Sequence, residues 1–438
     1  MSARAVSLPK SAFGTHETAR AAKAASRRLA ALDEATRNAA LEAMATSLEA
    51  ARAELLAAND EDCRTEGDGL ASATLARLKL DAAKLQEMVE QVRSVAALPD
   101  PLGRVLDAME LDDALNLKKI SVPLGVLAVI FEARPDALTQ IAALAIKSGN
   151  AVILKPGKEV ERTAVALVRV VREALVGCGL PADAVSLVLG RERAQELLAM
   201  HALVDLVIPR GSKALVEYVQ ANTRIPVLGH AEGVCHIYVD RSADEALALR
   251  VIDDAKTDYP AACNAVETVL VHREIAAEFL PRLAERLRAQ GVALHGDATV
   301  GAILRDVPMV SDWHTEYGEL GISLGVVSSL EEAIEHIHAH GSSHTESILT
   351  EDAEAAEQFL REVDAAGVFH NVSTRFADGF RYGFGAEVGI STSKFHARGP
   401  VGLEGLTTYK YVLRGHGQVA GDYRGRDARA FTHKRETR

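Results

Sequence analysis

The chain has 438 residues, 48% hydrophobic and 25% charged, and its length predicts two or three domains with a substantial core. A formal net charge of −12 argues against a protein that binds nucleic acid through a basic surface. No apolar stretch is long enough to span a bilayer, and residues 1–6 lack the hydrophobic region of a signal peptide. We therefore expect a cytoplasmic protein that binds neither nucleic acid nor membranes.

The four cysteines, Cys63, Cys178, Cys235 and Cys263, lie far apart and form no CxxC pair. Such spacing is typical of reduced thiols in the cytosol and not of a disulfide framework. Cys178 lies in a Gly-Cys-Gly turn and Cys235 opens an apolar strand. We interpret these two as structural.

Helical patterns run from about His16 to Leu98, with Asp33 and Asp81 where N-caps belong. The polar–apolar alternation from Leu106 to Val122 predicts a protruding β-ribbon that turns near Asp112-Asp113.

From Gly125 onward, apolar strands alternate with amphipathic helices in two series separated near Asp240. The first series has strands at 126–130, 151–154, 185–189 and 204–208, with helices at 136–147 and 161–176. The second has strands at 266–271, 324–328, 347–350 and 367–371, with helices at 243–257, 273–290, 330–339 and 353–363. This alternation is typical of parallel β-α-β units with helices on both sheet faces. It predicts an α/β protein with two doubly wound parallel-sheet domains, the first of a dinucleotide-binding type although it lacks GxGxxG.

Residues 258–268 place Cys263 between an amphipathic helix and a β-branched strand. Pro260 stiffens the approach, and Ala261 and Ala262 add no bulk that would block access to the sulfur. A deprotonated thiol is a strong nucleophile, whereas a cysteine taken at random is more often a buried structural residue. The small neighbours favour a nucleophile here.

Two turns carry groups suited to a phosphorylated cofactor. Lys155 and Lys158 follow the strand at 151–154, and the carboxyl end of a parallel strand faces the ligand crevice. A solvated pair of surface lysines would show the same spacing. The turn at 209–213 opens a helix, where backbone N–H groups bind anions and Gly211 permits close approach of a pyrophosphate.

The glycine-rich crossover at 227–233 contains His230 and Glu232, which are candidates for acid–base chemistry. A loop in which only the two glycines matter is an equal alternative. The histidines at 336, 338, 340 and 344 invite a metal interpretation, but no acidic or cysteine ligands accompany them in a familiar spacing. We favour a solvated histidine-rich helix end and predict no metal.

Beyond these separate signals, a series of motifs resembles one family in order along the chain. The segments are 125–155, 208–211, 233–240, 260–264, 373–376, 385–392, 396–400 and 406–410. They resemble the gamma-glutamyl phosphate reductase family, also called glutamate-5-semialdehyde dehydrogenase, of the aldehyde dehydrogenase superfamily. The resemblance implies reduction of L-glutamyl 5-phosphate by NADPH to glutamate 5-semialdehyde and phosphate, the second step of proline biosynthesis.

The resemblance also implies a mechanism. Cys263 attacks the acyl phosphate, phosphate leaves, and hydride reduces the resulting thioester. The backbone N–H of Cys263 and the side chain of Asn264 are the implied donors to the tetrahedral intermediates. Leu228 stands where the wider superfamily has a water-activating glutamate, so the thioester is expected to resist hydrolysis, unless Glu232 folds inward.

By the same resemblance, Lys155 contacts the adenosine ribose, and Lys158 stands where NAD-preferring members often carry a glutamate. A cation there favours the 2′-phosphate of NADP. Gly211 and Ser212 match residues near the pyrophosphate, and Glu319 matches a glutamate that positions the nicotinamide ribose.

Candidates to hold the substrate carboxylate or phosphate follow from the family motifs, without a division of roles among them: Arg134, Ser373, Thr374 and Arg375. The edge strands of the ribbon and of residues 407–413 predict a homo-oligomer. Functional coupling to glutamate 5-kinase, which would supply the acyl phosphate, is also implied.

Two other functions remain open from the sequence. A hydrolytic aldehyde dehydrogenase would work in the oxidative direction without phosphate. A catalytically silent protein that binds a nucleotide or a partner would have a thiol that alkylates slowly or not at all.

The resemblance and the alternation together predict the domain boundaries. They are 1–105 for N-terminal helices of the cofactor-binding domain, 106–122 for a β-ribbon oligomerisation element, 123–240 for the dinucleotide-binding domain, 241–382 for the catalytic domain, 383–405 for a loop returning to the cofactor domain, 406–414 for an oligomerisation strand and 415–438 for a disordered tail.

Overall fold

The computed structural model describes residues 14–70, 72–230, 232–395 and 397–435. The chain forms two compact units. Unit 1 contains the described residues up to Leu228 together with 384–389 and the residues from 401 onward, and unit 2 contains 229–383 and 390–400. Unit 1 is therefore discontinuous in sequence.

Unit 1 begins with a series of helices, and the predicted N-caps of two of them are confirmed. The helices are α1 (Thr15–Leu29), α2 (Glu34–Ala50), α3 (Arg52–Glu66), α4 (Ser72–Leu78) and α5 (Ala82–Ala97). The carboxylate of Asp33 accepts the N–H of Thr36, and that of Asp81 accepts the N–H of Lys84, both at 2.8 Å. Each carboxylate satisfies a backbone donor that the helix leaves unpaired.

The predicted ribbon is present as β1 (Val105–Asp112) and β2 (Leu115–Pro123), an antiparallel pair. Ala114 has a φ of 54° in the turn between them. β15 (Thr407–Arg414) pairs with β2 and β16 (Lys434–Arg435) with β1, giving the order β15-β2-β1-β16. Within the described residues, the outer edge of β15 pairs with no strand.

The tail differs from the disorder predicted for residues 415–438. Its described part contains a 3₁₀ helix, Ala420–Tyr423, besides β16. The hydroxyl of Tyr423 donates to Asp112 at 2.9 Å, and its ring stacks on Phe431 with centroids 4.2 Å apart. A polar, Arg-rich composition suggested disorder, but an aromatic pair within the tail and charged partners on the ribbon hold this segment.

The parallel sheet of unit 1 has the strand order β5-β4-β3-β6. Its elements are β3 (Val126–Phe131), α6 (Pro135–Lys147), β4 (Ala151–Pro156), α7 (Glu161–Gly177), β5 (Val185–Leu187), α8 (Arg191–Leu198), β6 (Leu206–Arg210) and α9 (Lys213–Asn222). The strands are apolar and mostly buried because helices cover both faces. Strand order reverses at β3, and ligands bind outside the carboxyl ends of strands at such a point.

The parallel sheet of unit 2 has the order β12-β11-β7-β8-β10-β9. Its elements are β7 (Cys235–Val239), α10 (Glu245–Thr257), β8 (Val266–His272), α11 (Arg273–Ala289), β9 (Ala293–Gly296), α12 (Ala298–Leu304), β10 (Gly321–Val327), α13 (Leu330–His340), β11 (Thr345–Leu349), α14 (Ala353–Glu362) and β12 (Gly367–His370). The predicted boundary at residue 240 is wrong, because β7 pairs with β8 and β11 inside unit 2. Alternation of strands and helices does not reveal which sheet a strand joins.

The segment 383–405, predicted as one loop returning to the cofactor domain, divides between the units. Residues 384–389 belong to unit 1, whereas 390–400 belong to unit 2. Within unit 2, β13 (Ile390–Ser391) pairs with β14 (Gly399–Pro400). In the described ranges, no helix combines the length and apolarity needed to cross a membrane.

Candidate active site

Cys263 lies in the turn between α10 and β8, at the amino end of β8. Because β7, β8, β10 and β11 run parallel, the segments that precede them meet at the same edge of the sheet. His230, Glu319 and His344 lie in those segments. Unit 2 therefore gathers its reactive groups at the amino edge of its sheet.

The main chain of Cys263 is held by two neighbours from the start of β7. A Cβ on Gly233 would lie 2.1 Å from the carbonyl oxygen of Cys263 and 2.7 Å from its Cα, so only glycine permits this approach. The thiol of Cys235 donates to the same carbonyl oxygen at 3.3 Å. Burial raises the pKa of Cys235 and keeps it a neutral donor. Cys235 is thus structural in its contacts, whereas Cys263 is partly exposed.

Two imidazoles lie beside the sulfur of Cys263. One ligating atom each of His230, Cys263 and His344 lie within 4.8 Å of one another. The Nδ1–H of His230 donates to the carbonyl of Ile390 at 2.9 Å, since a carbonyl only accepts. His344 is 1% exposed, its Nδ1 is 2.9 Å from Thr345 Oγ1, and its Nε2 has no hydrogen-bond partner among the described residues. The sequence did not connect His344 with Cys263.

Asn264 does not have the contacts expected of a donor to reaction intermediates. Its Nδ2 donates to the carbonyl of Ala377 at 2.8 Å, and its Oδ1 accepts from Arg375. The amide is therefore engaged on both sides. The backbone N–H groups of Cys263 and Asn264 donate no hydrogen bond within the described residues. They are the available donors at this turn.

Arg375 brings positive charge to the turn of Cys263. Its Nε lies 3.1 Å from Asp258 Oδ2, and Nη2 of Arg381 lies 3.3 Å from the same oxygen. The hydrogen bond from Arg375 is the main reason that the pKa of Asp258 is lowered. Because one carboxylate faces two guanidinium groups, the cluster retains a net positive charge. Arg381 is a residue that the sequence analysis missed.

Ser373 and Thr374, which precede Arg375, are both buried. Ser373 is 5% exposed, and its Oγ accepts the N–H of Arg375 at 3.3 Å, capping the 3₁₀ helix Thr374–Phe376. Thr374 is fully buried. Their predicted role in binding substrate stays a prediction, as does that of Arg375, whose side chain is 11% exposed.

The histidines of α13 form a separate aromatic cluster. His336 lies 4.7 Å from Trp313 and 4.6 Å from His340, measured between ring centroids. Burial lowers the pKa of His336 to about 3. Within the described residues, the group of three or more ligating side chains that could hold a metal is His230, Cys263 and His344, and it excludes these helix residues.

Unit 1 places the two predicted cofactor lysines in different surroundings. Lys155 is partly buried at the end of β4 and forms no ion pair with a described residue, and burial lowers its pKa. Lys158 is exposed, with its Nζ 2.9 Å from Glu66 Oε2. A half-buried ammonium without a partner is unfavourable, so the position of Lys155 fits a polar group of a bound cofactor.

The turn before α9 contacts a carboxylate of the same chain. The N–H of Ser212 donates to Glu132 Oε2 at 2.9 Å, and a Cβ on Gly211 would lie 2.4 Å from that oxygen. Glu132 follows β3, the strand at which the order reverses, and the sequence analysis overlooked it. The pyrophosphate site predicted for this turn stays a prediction.

Three further residues singled out from the sequence are Arg134, Glu319 and Leu228. Arg134 occupies the N-cap position of α6 in unit 1, and its guanidinium makes no hydrogen bond to a described residue. Glu319 is exposed just before β10 in unit 2. Leu228 is buried in unit 1 at 3% exposure. The roles predicted for Arg134 and Glu319 stay predictions.

Comparisons with known proteins identify the family. The profile of the aldehyde dehydrogenase family matches residues 11–309. Gamma-glutamyl phosphate reductase from Cyanothece sp. is 57% identical over 95% of this chain and 97% of its own length, and gamma-glutamyl phosphate reductase 1 from Synechocystis sp. is 54% identical over the same shares. The crystal structure of gamma-glutamyl phosphate reductase from Thermotoga maritima superposes with a TM-score of 0.91 at 40% identity, covering 93% of this chain and all of that one.

The chain belongs to the gamma-glutamyl phosphate reductase family. Membership confirms the resemblance drawn from the motifs and the predicted aldehyde dehydrogenase-like α/β fold. It makes the chain an oxidoreductase that acts on a small molecule with a nicotinamide cofactor. The geometry of Cys263 in unit 2 and of Lys155 in unit 1 can now be interpreted in these terms.

Proposed function

We propose that this protein reduces L-glutamyl 5-phosphate to L-glutamate 5-semialdehyde and inorganic phosphate with NADPH, the second step of proline biosynthesis. The turn of Cys263 carries this proposal. It combines a partly exposed thiol, two imidazoles near the sulfur, available backbone N–H groups and a cationic cluster. The relatives at 52–57% identity, all named for this enzyme, support the choice of substrate.

Cys263 forms and releases the covalent intermediate. Its thiolate attacks the acyl carbon, and the bond to the phosphate oxygen breaks with its electrons leaving on phosphate, so a thioester remains. The N–H groups of Cys263 and Asn264 stabilise the oxyanion of each tetrahedral species. His344 accepts the thiol proton through Nε2, the nitrogen left without a partner, and returns a proton when the carbon–sulfur bond breaks.

Substrate anions meet the Arg375–Arg381 cluster. Both guanidinium groups form ion pairs with Asp258. Asn264, the residue after Cys263, accepts a hydrogen bond from Arg375 through its side-chain oxygen. A guanidinium is suited to carboxylate and phosphate because its fork of N–H groups matches two oxygens. We assign Asn264 to orienting Arg375, in place of the direct donation expected from the sequence.

The residues of unit 1 fit a nicotinamide dinucleotide. Lys155 would meet the adenosine ribose, Lys158 the 2′-phosphate, and Gly211 with Ser212 the pyrophosphate. The role of Glu319, a residue of unit 2, at the nicotinamide ribose is taken from the family resemblance. When bound, NADPH supplies the hydride that converts the thioester to the aldehyde level. Glu66 and Glu132 hold Lys158 and Ser212 until the cofactor's own charges replace them.

Replacing Lys158 by glutamate should change cofactor preference. Lys158→Glu would repel the 2′-phosphate, and we expect kcat/KM with NADPH to fall about 10- to 100-fold, with little change for NADH. Steady-state kinetics with both cofactors measures the ratio. Lys79→Glu, an equal charge change at another exposed site of unit 1, should leave that ratio alone. An unchanged ratio in Lys158→Glu would remove this lysine from the cofactor site.

Phosphate dependence separates the proposed reaction from hydrolysis. Running the reaction backwards with glutamate 5-semialdehyde and NADP, we expect NADPH formation only when inorganic phosphate is present. The reason is that Leu228 is apolar where a water-activating carboxylate would be needed. Turnover at the same rate without phosphate would instead identify a hydrolytic dehydrogenase and make Glu232 the next residue to test.

Assembly and location extend the proposal. The outer edge of β15 pairs with no strand of the described residues, and the strand has exposed Tyr409, Tyr411 and Leu413. Such an edge is suited to pairing with a second copy. Sedimentation of the intact protein tests this, since a monomer would contradict it.

Four free thiols accord with a reducing cytoplasm. Delivery of the labile acyl phosphate by glutamate 5-kinase would fit the same compartment.

A further inference from the structure

We propose that His230, Cys263 and His344 form a binding site for Zn²⁺ that reversibly blocks the nucleophile. The site is the group in unit 2 whose three ligating atoms already lie within 4.8 Å of one another. The reaction as proposed above uses no metal. Binding rests on the geometry alone, whereas the inhibition that follows also rests on the proposed role of Cys263.

The donor set suits a soft divalent cation. One thiolate and two imidazoles are ligands that Zn²⁺ accepts, with a Zn–S distance of about 2.3 Å and Zn–N distances of about 2.0 to 2.1 Å. In a tetrahedral site the ligand atoms are then roughly 3.3 to 3.6 Å apart. Closing the group from its present spacing requires a movement of about 1 Å, which small rotations of the cysteine and the partly exposed His230 can supply.

The second ring nitrogen of each histidine is already positioned. His230 donates its Nδ1–H to the carbonyl of Ile390, which fixes the neutral tautomer whose Nε2 carries a lone pair. The Nδ1 of His344 is hydrogen-bonded to Thr345 Oγ1, so the Nε2 of His344 is the nitrogen available as a metal ligand. Zinc-binding histidines ordinarily hold their other nitrogen by such a hydrogen bond.

An unsatisfied buried atom points independently to a ligand. His344 is 1% exposed, and its Nε2 has no hydrogen-bond partner in the described part of the chain. Buried polar atoms are nearly always paired, so an unpaired one marks a position that another group can fill. The two histidine rings lie edge to face, with centroids 4.9 Å apart, so a ligand between them and the sulfur would reach both.

The three side chains leave the fourth position of a tetrahedral ion to water. Hard cations such as Mg²⁺ prefer oxygen ligands, so they should bind poorly. Bound Zn²⁺ would occupy the sulfur lone pair that attacks the substrate. The site would therefore make activity sensitive to free zinc and insensitive to magnesium.

Metal binding can be measured directly on the full-length protein. Isothermal titration with Zn²⁺ should give one ion per chain, and Co²⁺ should produce a thiolate-to-cobalt charge-transfer band. Cys263→Ser keeps the size of the side chain and should weaken binding on the order of 100-fold or more, as should His344→Gln. His340→Gln removes a histidine of the α13 cluster, and Cys178→Ser removes a partly exposed thiol. Both should bind Zn²⁺ like the wild type.

Alkylation of Cys263 by iodoacetamide, read by mass spectrometry, provides a second test. Zn²⁺ should protect this cysteine, EDTA should restore labelling, and Mg²⁺ should have no effect. Retained binding in Cys263→Ser, or equal loss in His340→Gln, would overturn the site. If Zn²⁺ binds and protects the sulfur but does not inhibit, the proposed role of Cys263 fails and the metal site stands.

Discussion

Cys263→Ala should lower reduction of glutamyl phosphate by a factor on the order of 10⁴ or more, because the other thiol at the turn, Cys235, is buried and its raised pKa keeps it neutral. Single-turnover measurements with NADPH and enzymatically generated acyl phosphate would give the rate. Mass spectrometry of the wild type without cofactor should also detect a glutamyl adduct on Cys263. The variant should remain folded, since alanine removes a partly exposed atom.

Cys178→Ala is the matched control for this substitution. Cys178 is also a free and partly exposed cysteine, but it follows α7 in unit 1 and its thiol contacts the carbonyl of Ala39. Its activity should stay within a factor of about two of the wild type. Comparable activity in Cys263→Ala would exclude covalent catalysis at this position.

Lys256→Met should destabilise unit 2 in a pH-dependent manner. Lys256 and Glu267 form an ion pair at 2.7 Å and are 0% and 1% exposed. Burial raises the pKa of Glu267 to about 7 even with the ammonium beside it, and loss of the ammonium would raise that pKa further. Removing one partner of a buried pair costs about 3 to 5 kcal/mol while the other remains charged.

The sign of the pH effect follows from the raised pKa. Below the unfolded pKa of about 4.3, Glu267 is protonated in both states and carries no penalty. As the pH rises toward the folded pKa, the unfolded state loses its proton first and the folded state loses stability. The wild type shares this loss up to its own folded pKa of about 7, so the extra destabilisation of the variant should appear above about pH 7 and grow toward about pH 8. Fluorescence of Trp313, the single tryptophan and a residue of unit 2, can follow the unfolding.

Lys147→Met is the control that distinguishes the loss of a buried lysine from the effect of leaving a buried carboxylate without its partner. Lys147 is also fully buried, but its partner Glu34 is 43% exposed and remains hydrated when the ammonium is removed. Relative to the wild type, this variant should lose a similar amount of stability below and above about pH 7, as circular dichroism can show. The same pH response in both variants would contradict a penalty that comes from Glu267.

Local patterns predicted the elements well and their assembly less well. The N-caps of α2 and α5, the ribbon and most strands follow from periodicity and end signals. The sheet that β7 joins does not, because pairing of parallel strands is decided by packing across the chain. The short β9 and α12 were missed, and the tail found partners that its composition did not indicate.

In the candidate site, too, local signals could be predicted from the sequence, whereas contacts between distant segments could not. The small residues around Cys263 mark an accessible thiol, and this signal is local. His344, Arg381 and Cys235 come to Cys263 from other segments through the parallel register of β7, β8 and β11 or through the loop after β12. Asn264 was assigned a role from its neighbour in sequence, whereas its hydrogen bonds to Ala377 and Arg375 depend on that distant loop.

The discontinuity of unit 1 has a consequence for synthesis on the ribosome. The parallel sheet of unit 2 uses strands between residues 235 and 370, so it can close before the rest of the chain emerges. The ribbon cannot, because β2 pairs with β15, from Pro123↔Thr407 to Asn116↔Arg414. Until that last strand is translated, a nascent chain carries an open β-edge, a hazard for association with neighbouring chains. Truncation shortly before β15 should therefore yield a folded unit 2 attached to an aggregation-prone unit 1.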